Sequence, residues 1–206
     1  MIPADQALIR LREGNRRFVE SLAASDTVAR KLELDCNRMP FAIVLGCSDA
    51  RVPAELVFDQ GLGDLFVIRV AGNIVSPSQI GSVEFAAERF GVRLVVVLGH
   101  TQCGAIRATI EQLQTPAESQ SPNLRSIVDR VRPALEGLLH TDLRNDPEAL
   151  ALQGMRANIG ISVSHLRYGS PVLESLILND GLRIVGAEYS VQTGEVTFLE
   201  GPRGLE

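Results

Sequence analysis

Leu94-Val95-Val96-Val97-Leu98-Gly99-His100-Thr101-Gln102-Cys103-Gly104 is an apolar, β-branched run that breaks off into a histidine and a cysteine. Five apolar residues in a row, without alternation, predict a strand buried on both faces, as in a parallel sheet covered by helices. Gly104 to Leu113 then reads as a helix, so the whole stretch is a strand, a turn and a helix. An earlier segment follows the same plan. Phe41-Ala42-Ile43-Val44-Leu45 reads as a second buried strand and runs into Cys47-Ser48-Asp49-Ala50-Arg51. Two such strand ends lie side by side at the carboxyl edge of an open α/β sheet, which is where ligands bind.

The remaining elements fit that frame. Leu65 to Val70, Arg183 to Ala187 and Val196 to Leu199 are further strands, and the Thr193-Gly194 turn predicts an antiparallel hairpin between the last two. Helical spacing is found over Ser82–Phe90, closed by Gly91, over Leu124–Val131 ahead of Pro133, over Pro147–Leu166 and over Val172–Leu178. Residues 4–24 carry Leu8, Leu11, Phe18, Val19 and Leu22 at helical intervals between arginines, which predicts a long amphipathic N-terminal helix. The expected fold is α/β: a mostly parallel central sheet of about four strands with an antiparallel edge strand, flanked by helices. Residues 1–206 are read as one domain, with the helix of residues 1–25 expected to pack on a partner subunit. Gln114 to Asn123, rich in proline, serine and polar residues, is a loop.

Bulk composition excludes several classes. Hydrophobic residues make up 45% and charged residues 22%, as in ordinary globular proteins. The formal charge of -5 includes no basic tract, so nucleic acid is not an expected partner. No apolar stretch approaches the ~20 residues of a membrane span. Met1-Ile2-Pro3-Ala4-Asp5 lacks the basic and apolar regions of a signal peptide, and a cytoplasmic location is expected. Three cysteines do not build a disulfide framework, and in a reducing compartment metal binding or catalysis is the better reading.

Cys47, Asp49, His100 and Cys103 converge if the two strand ends are neighbours, and two thiolates, an imidazole and a carboxylate suit zinc. Cys103 also precedes a helix, whose amide dipoles favour a thiolate. Three protein ligands leave a position for water and make a site catalytic, whereas four close it. Arg51 bears on that choice: if it pairs with Asp49 the carboxylate is drawn off the metal, and if Asp49 turns to the metal the site is shut. Cys36, His140 and His165 have no ligand at metal spacing and read as an incidental thiol and ordinary surface or core histidines.

Leu45-Gly46-Cys47-Ser48-Asp49-Ala50-Arg51-Val52-Pro53, with Gly99-His100-Thr101-Gln102-Cys103-Gly104, resembles the bacterial β-class carbonic anhydrases, in their open-site subgroup. Asp59 to Asn73, Gly14 to Phe18, and Gly186 to Val196 extend the likeness over nearly the whole chain. The resemblance implies reversible hydration of carbon dioxide to bicarbonate and a proton by attack of a zinc-bound hydroxide. Cys47, His100 and Cys103 would hold the zinc, with Asp49 paired to Arg51 orienting the nucleophile. It also implies a homodimer, or a tetramer built from dimers, with the active site at the subunit interface. Phe66, Ala71, Phe85 and Gly104 would line an apolar pocket suited to carbon dioxide.

Three departures stand out. Arg38 occupies the place, nine residues before Cys47, where members often carry a substrate-binding glutamine. Val44 stands where members with an allosteric bicarbonate site carry tryptophan, so an open, unswitched site is expected. Phe85 replaces a frequent tyrosine. Water on the zinc of a three-histidine carbonic anhydrase titrates at about 7. Two thiolates donate more charge than imidazoles, so activity here is expected to rise from neutral into alkaline pH. The rival readings are a carbonyl sulfide or carbon disulfide hydrolase on the same scaffold, a structural-zinc protein, and a hydrolase with Cys47 or Cys103 as nucleophile and His100 as base. Gly99 to Gly104 is not a phosphate loop, because Ala105-Ile106 stands where lysine and a hydroxyl residue are required.

Overall fold

The structure, a computed structural model, describes residues 2–23, 39–115 and 121–199; Cys36 and Arg38 lie outside them. In chain order the elements are α1 (Ala4–Ala23), β1 (Ala42–Gly46), α2 (Ala54–Val57), β2 (Leu65–Arg69), α3 (Pro77–Arg89), β3 (Leu94–His100), α4 (Gly104–Gln114), α5 (Pro122–Val131), α6 (Pro147–Tyr168), α7 (Pro171–Asn179), β4 (Arg183–Tyr189) and β5 (Val196–Leu199). They form one five-stranded sheet in the order β2-β1-β3-β4-β5. The first four strands are mutually parallel and β5 pairs antiparallel to β4.

Side-chain alternation divides the sheet between two cores. Ile43, Leu45, Val95, Val97 and Ile184 face the layer that carries Val83, Ile106, Leu135, Ile159 and Leu173. Ala42, Val44, Leu94, Val96 and Leu98 face the other way, against Ala7 and Leu11 of α1 and Val57 and Phe58 of the α2 region. A chain buried on both faces gives β1 and β3 their unbroken apolar character.

Several boundaries differ from the sequence reading, each for a local reason. Helix α3 begins at Pro77 rather than Ser82, because proline is well tolerated in a first helical turn despite the polar residues after it. Strand β3 runs on through Gly99 to His100, and β4 to Tyr189, pairing across those residues. The short α2 and the 3-10 turns at Ala71–Asn73, Leu138–His140 and Asp142–Asn145 carry too few residues to show a period.

Helix α1 packs on its own sheet: Ala7 and Leu11 are fully buried there. Ile9, on the opposite side of the helix, is 55% exposed and is where a partner subunit would have to meet it. Asn15 anchors the helix, donating from Nδ2 to the Val57 and Gly194 carbonyls while its Oδ1 accepts from the Val196 N–H. Approach is close enough that a Cβ on Gly14 would sit 1.7 Å from the Phe58 carbonyl oxygen. Gly14→Ala should therefore lower unfolding free energy in a urea titration by about 2 kcal/mol or more, although alanine gains up to about 1 kcal/mol in helix propensity. A neutral or stabilising result would mean that α1 is not seated as described.

Candidate metal centre

Cys47 is the first residue after β1, His100 the last residue of β3, and Cys103 the residue before α4. Gly46 is in register with Leu98, so the two strands end side by side. Gln102, in the left-handed region at φ 58°, turns the chain back so that Cys103 returns to His100. One ligand atom from each of Cys47, His100 and Cys103 lies within 4.8 Å of the others, and all three residues are buried. Such a cluster at a sheet's carboxyl edge is a metal site by its chemistry.

The protonation pattern tests that reading. His100 Nδ1 is 2.9 Å from the Thr101 carbonyl. A carbonyl only accepts, so Nδ1 carries the proton and Nε2 presents its lone pair. That Nε2 is buried and has no hydrogen-bond partner among the described residues. A buried, unpaired acceptor is costly unless something binds it. The two sulfurs stand 4.0 Å apart. Cys47 is pushed down, first by the hydrogen bond from the Cys103 thiol and, against the opposing effect of burial, by the Gly72 N–H. Cys103 is pushed up, because it keeps the shared proton and is itself buried. Zinc, with two positive charges, suits a pair of thiolates and a neutral imidazole, so the residues present fit the ion.

This arrangement makes a prediction. Near neutral pH only the proton on Cys103 has to leave when zinc enters, so about one proton should be released per zinc. Zinc affinity, measured by chelator competition, should rise about tenfold per pH unit. Two protons per zinc would show that both thiols are neutral in the metal-free protein.

Asp49 does not complete a fourth corner. Its Oδ1 accepts from Arg51 Nε at 2.9 Å and from the Arg51 backbone N–H at 3.0 Å, and its Oδ2 accepts from Arg51 Nη2 at 2.8 Å. Oδ2 remains 4.0 Å from His100 Nε2, beyond hydrogen-bond reach. The bidentate Arg51 hydrogen bonds hold the Asp49 carboxyl far below the usual carboxylate range, so it stays ionised at working pH. Arg51 is held in turn by Gln102, whose side-chain and backbone oxygens each accept from it at 3.3 Å. Arg69 donates to the carbonyls of Cys47 and Asp49, pinning the loop between them.

Ala71 and Gly104 flank the cluster: Gly72, next to Ala71, donates its N–H to Cys47 Sγ at 3.3 Å, and Gly104 follows Cys103. Phe66 and Phe85 are not brought to it. Phe66 is in register with Ile43, four residues before Cys47, and its ring packs 6.3 Å from Phe85 and 6.0 Å from Phe90. Phe85 is 53% exposed. His140 and His165 are both exposed. Sequence reasoning missed Gln102, Arg69 and Gly72. Arg69, a charge inside an apolar strand, was the visible signal among them.

The family model for carbonic anhydrase matches residues 42–196. A carbonic anhydrase of Mycolicibacterium smegmatis is 37% identical over 188 residues, covering 90% of this chain and 88% of the relative. Carbonic anhydrase 2 of Mycobacterium tuberculosis is 35% identical over 194 residues, covering 92% and 90%. Among solved structures, the β-carbonic anhydrase CafA of Aspergillus fumigatus superposes with a TM-score of 0.72 at 23% identity, over 95% of this chain and 90% of that one.

Proposed function

Because the chain belongs to the carbonic anhydrase family, in its β class, we propose that Cys47, His100 and Cys103 hold the zinc with which it hydrates carbon dioxide reversibly to bicarbonate and a proton. The buried, unpaired Nε2 of His100 beside two sulfurs carries this reading. Zinc bound there supplies Lewis acidity, which makes water nucleophilic near neutral pH. The chain's own residues do the rest. Arg51 keeps Asp49 ionised and turned away from the cluster. Asp49 Oδ2 is then placed to accept the hydrogen bond of the attacking water and to aim its lone pair at the substrate carbon. Gln102 and Arg69 hold that pair and its loop in place.

We further place the enzyme as a homo-oligomer with a shared pocket. Phe66 and Phe85 sit on the β2 edge of the sheet, away from their own chain's cluster, where they can line the site of a partner subunit beside its Ala71 and Gly104. Among the described residues no helix is long and apolar enough to cross a membrane. Free thiols at Cys47 and Cys103 suit a reducing compartment, and we place the protein in the cytoplasm. The bidentate hold of Arg51 on Asp49 supports an open, catalytic centre over a structural zinc.

Stopped-flow assay of the zinc-loaded protein should show carbon dioxide hydration with kcat rising between roughly pH 6.5 and 9, as thiolate ligands require of a weaker Lewis acid. A flat profile across that range would remove the charge argument. Carbonyl sulfide hydrolysis outpacing hydration would replace the substrate.

A further inference from the structure

Two polar side chains lie on the core face of α6 where apolar ones belong. Asn158 is 1% exposed and Ser162, one turn on, is 2% exposed. Burial of such groups is tolerated only with partners. Their partners are in the turn at 71–73: Asn158 Nδ2 donates to the Gly72 carbonyl at 2.8 Å, and Ser162 Oγ donates to the Asn73 carbonyl at 3.0 Å. In that turn Gly72 sits at φ 71°, which glycine adopts freely, and the non-glycine Asn73 is held at φ 42° in the left-handed region. Conformations of this kind persist only where their surroundings hold them. A Cβ on Gly99 would meet Ile159 at 2.6 Å, so the missing side chain is what lets α6 approach β3 closely enough to reach the turn. The turn reaches the metal centre through the Gly72 N–H on Cys47 Sγ.

We propose that Asn158 and Ser162 are positioning residues of the metal centre: by gripping the Gly72 and Asn73 carbonyls they aim the Gly72 N–H at Cys47 Sγ. The hydrogen bond withdraws charge from the sulfur, so the thiolate donates less to the ion and the Lewis acidity of the centre is raised. Helix α6 thereby tunes a ligand at the end of β1, far from it in the chain. Neither residue touches substrate. The proposal rests on Cys47 being a zinc ligand.

Cobalt(II) substituted for zinc reports on both points, because a cysteine ligand gives a near-ultraviolet thiolate-to-cobalt charge-transfer band. Wild-type protein lacking the band would overturn the ligand assignment itself. With the band present, Ser162→Ala and Asn158→Ala should each move it to longer wavelength, as a sulfur relieved of its hydrogen bond donates more readily. Ser162→Thr, which keeps the hydroxyl, should leave it at the wild-type position. Leu173→Val, a core change on α7 at a residue that makes no side-chain hydrogen bond to the turn, controls for general loosening and should not move it. Ser162→Ala removes a single oxygen and serves if Asn158→Ala fails to fold. An unmoved band in Ser162→Ala, or an equal shift in Leu173→Val, overturns the proposal.

Discussion

Cys47→Ala is expected to strip the protein of zinc and to leave less than about 1% of wild-type carbon dioxide hydration. A four-ligand zinc site is worth roughly 10–16 kcal/mol, so one thiolate carries about 3 kcal/mol, or over a hundredfold in affinity. Removing Cys47 also leaves the buried Gly72 N–H without its acceptor, a further cost to the fold around the site. The measurement is metal content after dialysis, set beside stopped-flow hydration. Wild-type protein treated with chelator should match the variant in activity and should melt earlier than its zinc-loaded form, since a ligand that binds only the folded state stabilises it. Hydration surviving in Cys47→Ala would move the metal to other residues.

Arg51→Ala should keep its zinc and still lose about 100-fold in kcat/KM. Arg51 is half exposed and its side chain bonds Asp49 and Gln102, so the fold should tolerate its loss. Asp49 would not. Deprived of the two hydrogen bonds from the Arg51 guanidinium and left with the backbone N–H alone, an ionised carboxylate 4.0 Å from His100 Nε2 would be free to turn toward the metal. Asp49→Ala in the same chain should then cost little more than Arg51→Ala alone, because the two residues act as one unit. Arg51→Lys should rescue only partly, since an ammonium cannot reproduce the bidentate fork. Additive losses in the double variant would show that Asp49 and Arg51 work independently.

The metal cluster was legible because each ligand follows an apolar strand by a few residues, so finding the strands finds the ligands. The sheet was legible for the same reason: Val95 to Leu98 and Ala42 to Leu45 are buried on both faces and carry no polar residue. What the sequence hid consists of contacts made across it. Gln102 matters through a left-handed backbone that its residue type does not announce and through the hydrogen bonds it accepts from Arg51. Arg69 acts on carbonyls 20 and 22 residues away. Asn158 and Ser162 look like helix-surface residues until the turn they bond is known. Phe66 and Phe85, expected from the resemblance to line a pocket, form an aromatic patch with Phe90 within one chain.

The lock at Asn15 bears on the order in which the molecule is assembled. Its oxygen waits for the N–H of Val196, 181 residues later, and its amide for the Gly194 carbonyl. A ribosome adding roughly 5–20 residues per second takes about 9–36 s to cover that interval. Ala7 and Leu11 of α1 can seat on β1, β3 and the α2 region as those are made, but the Asn15 fastening to the β4–β5 hairpin has to wait out that interval.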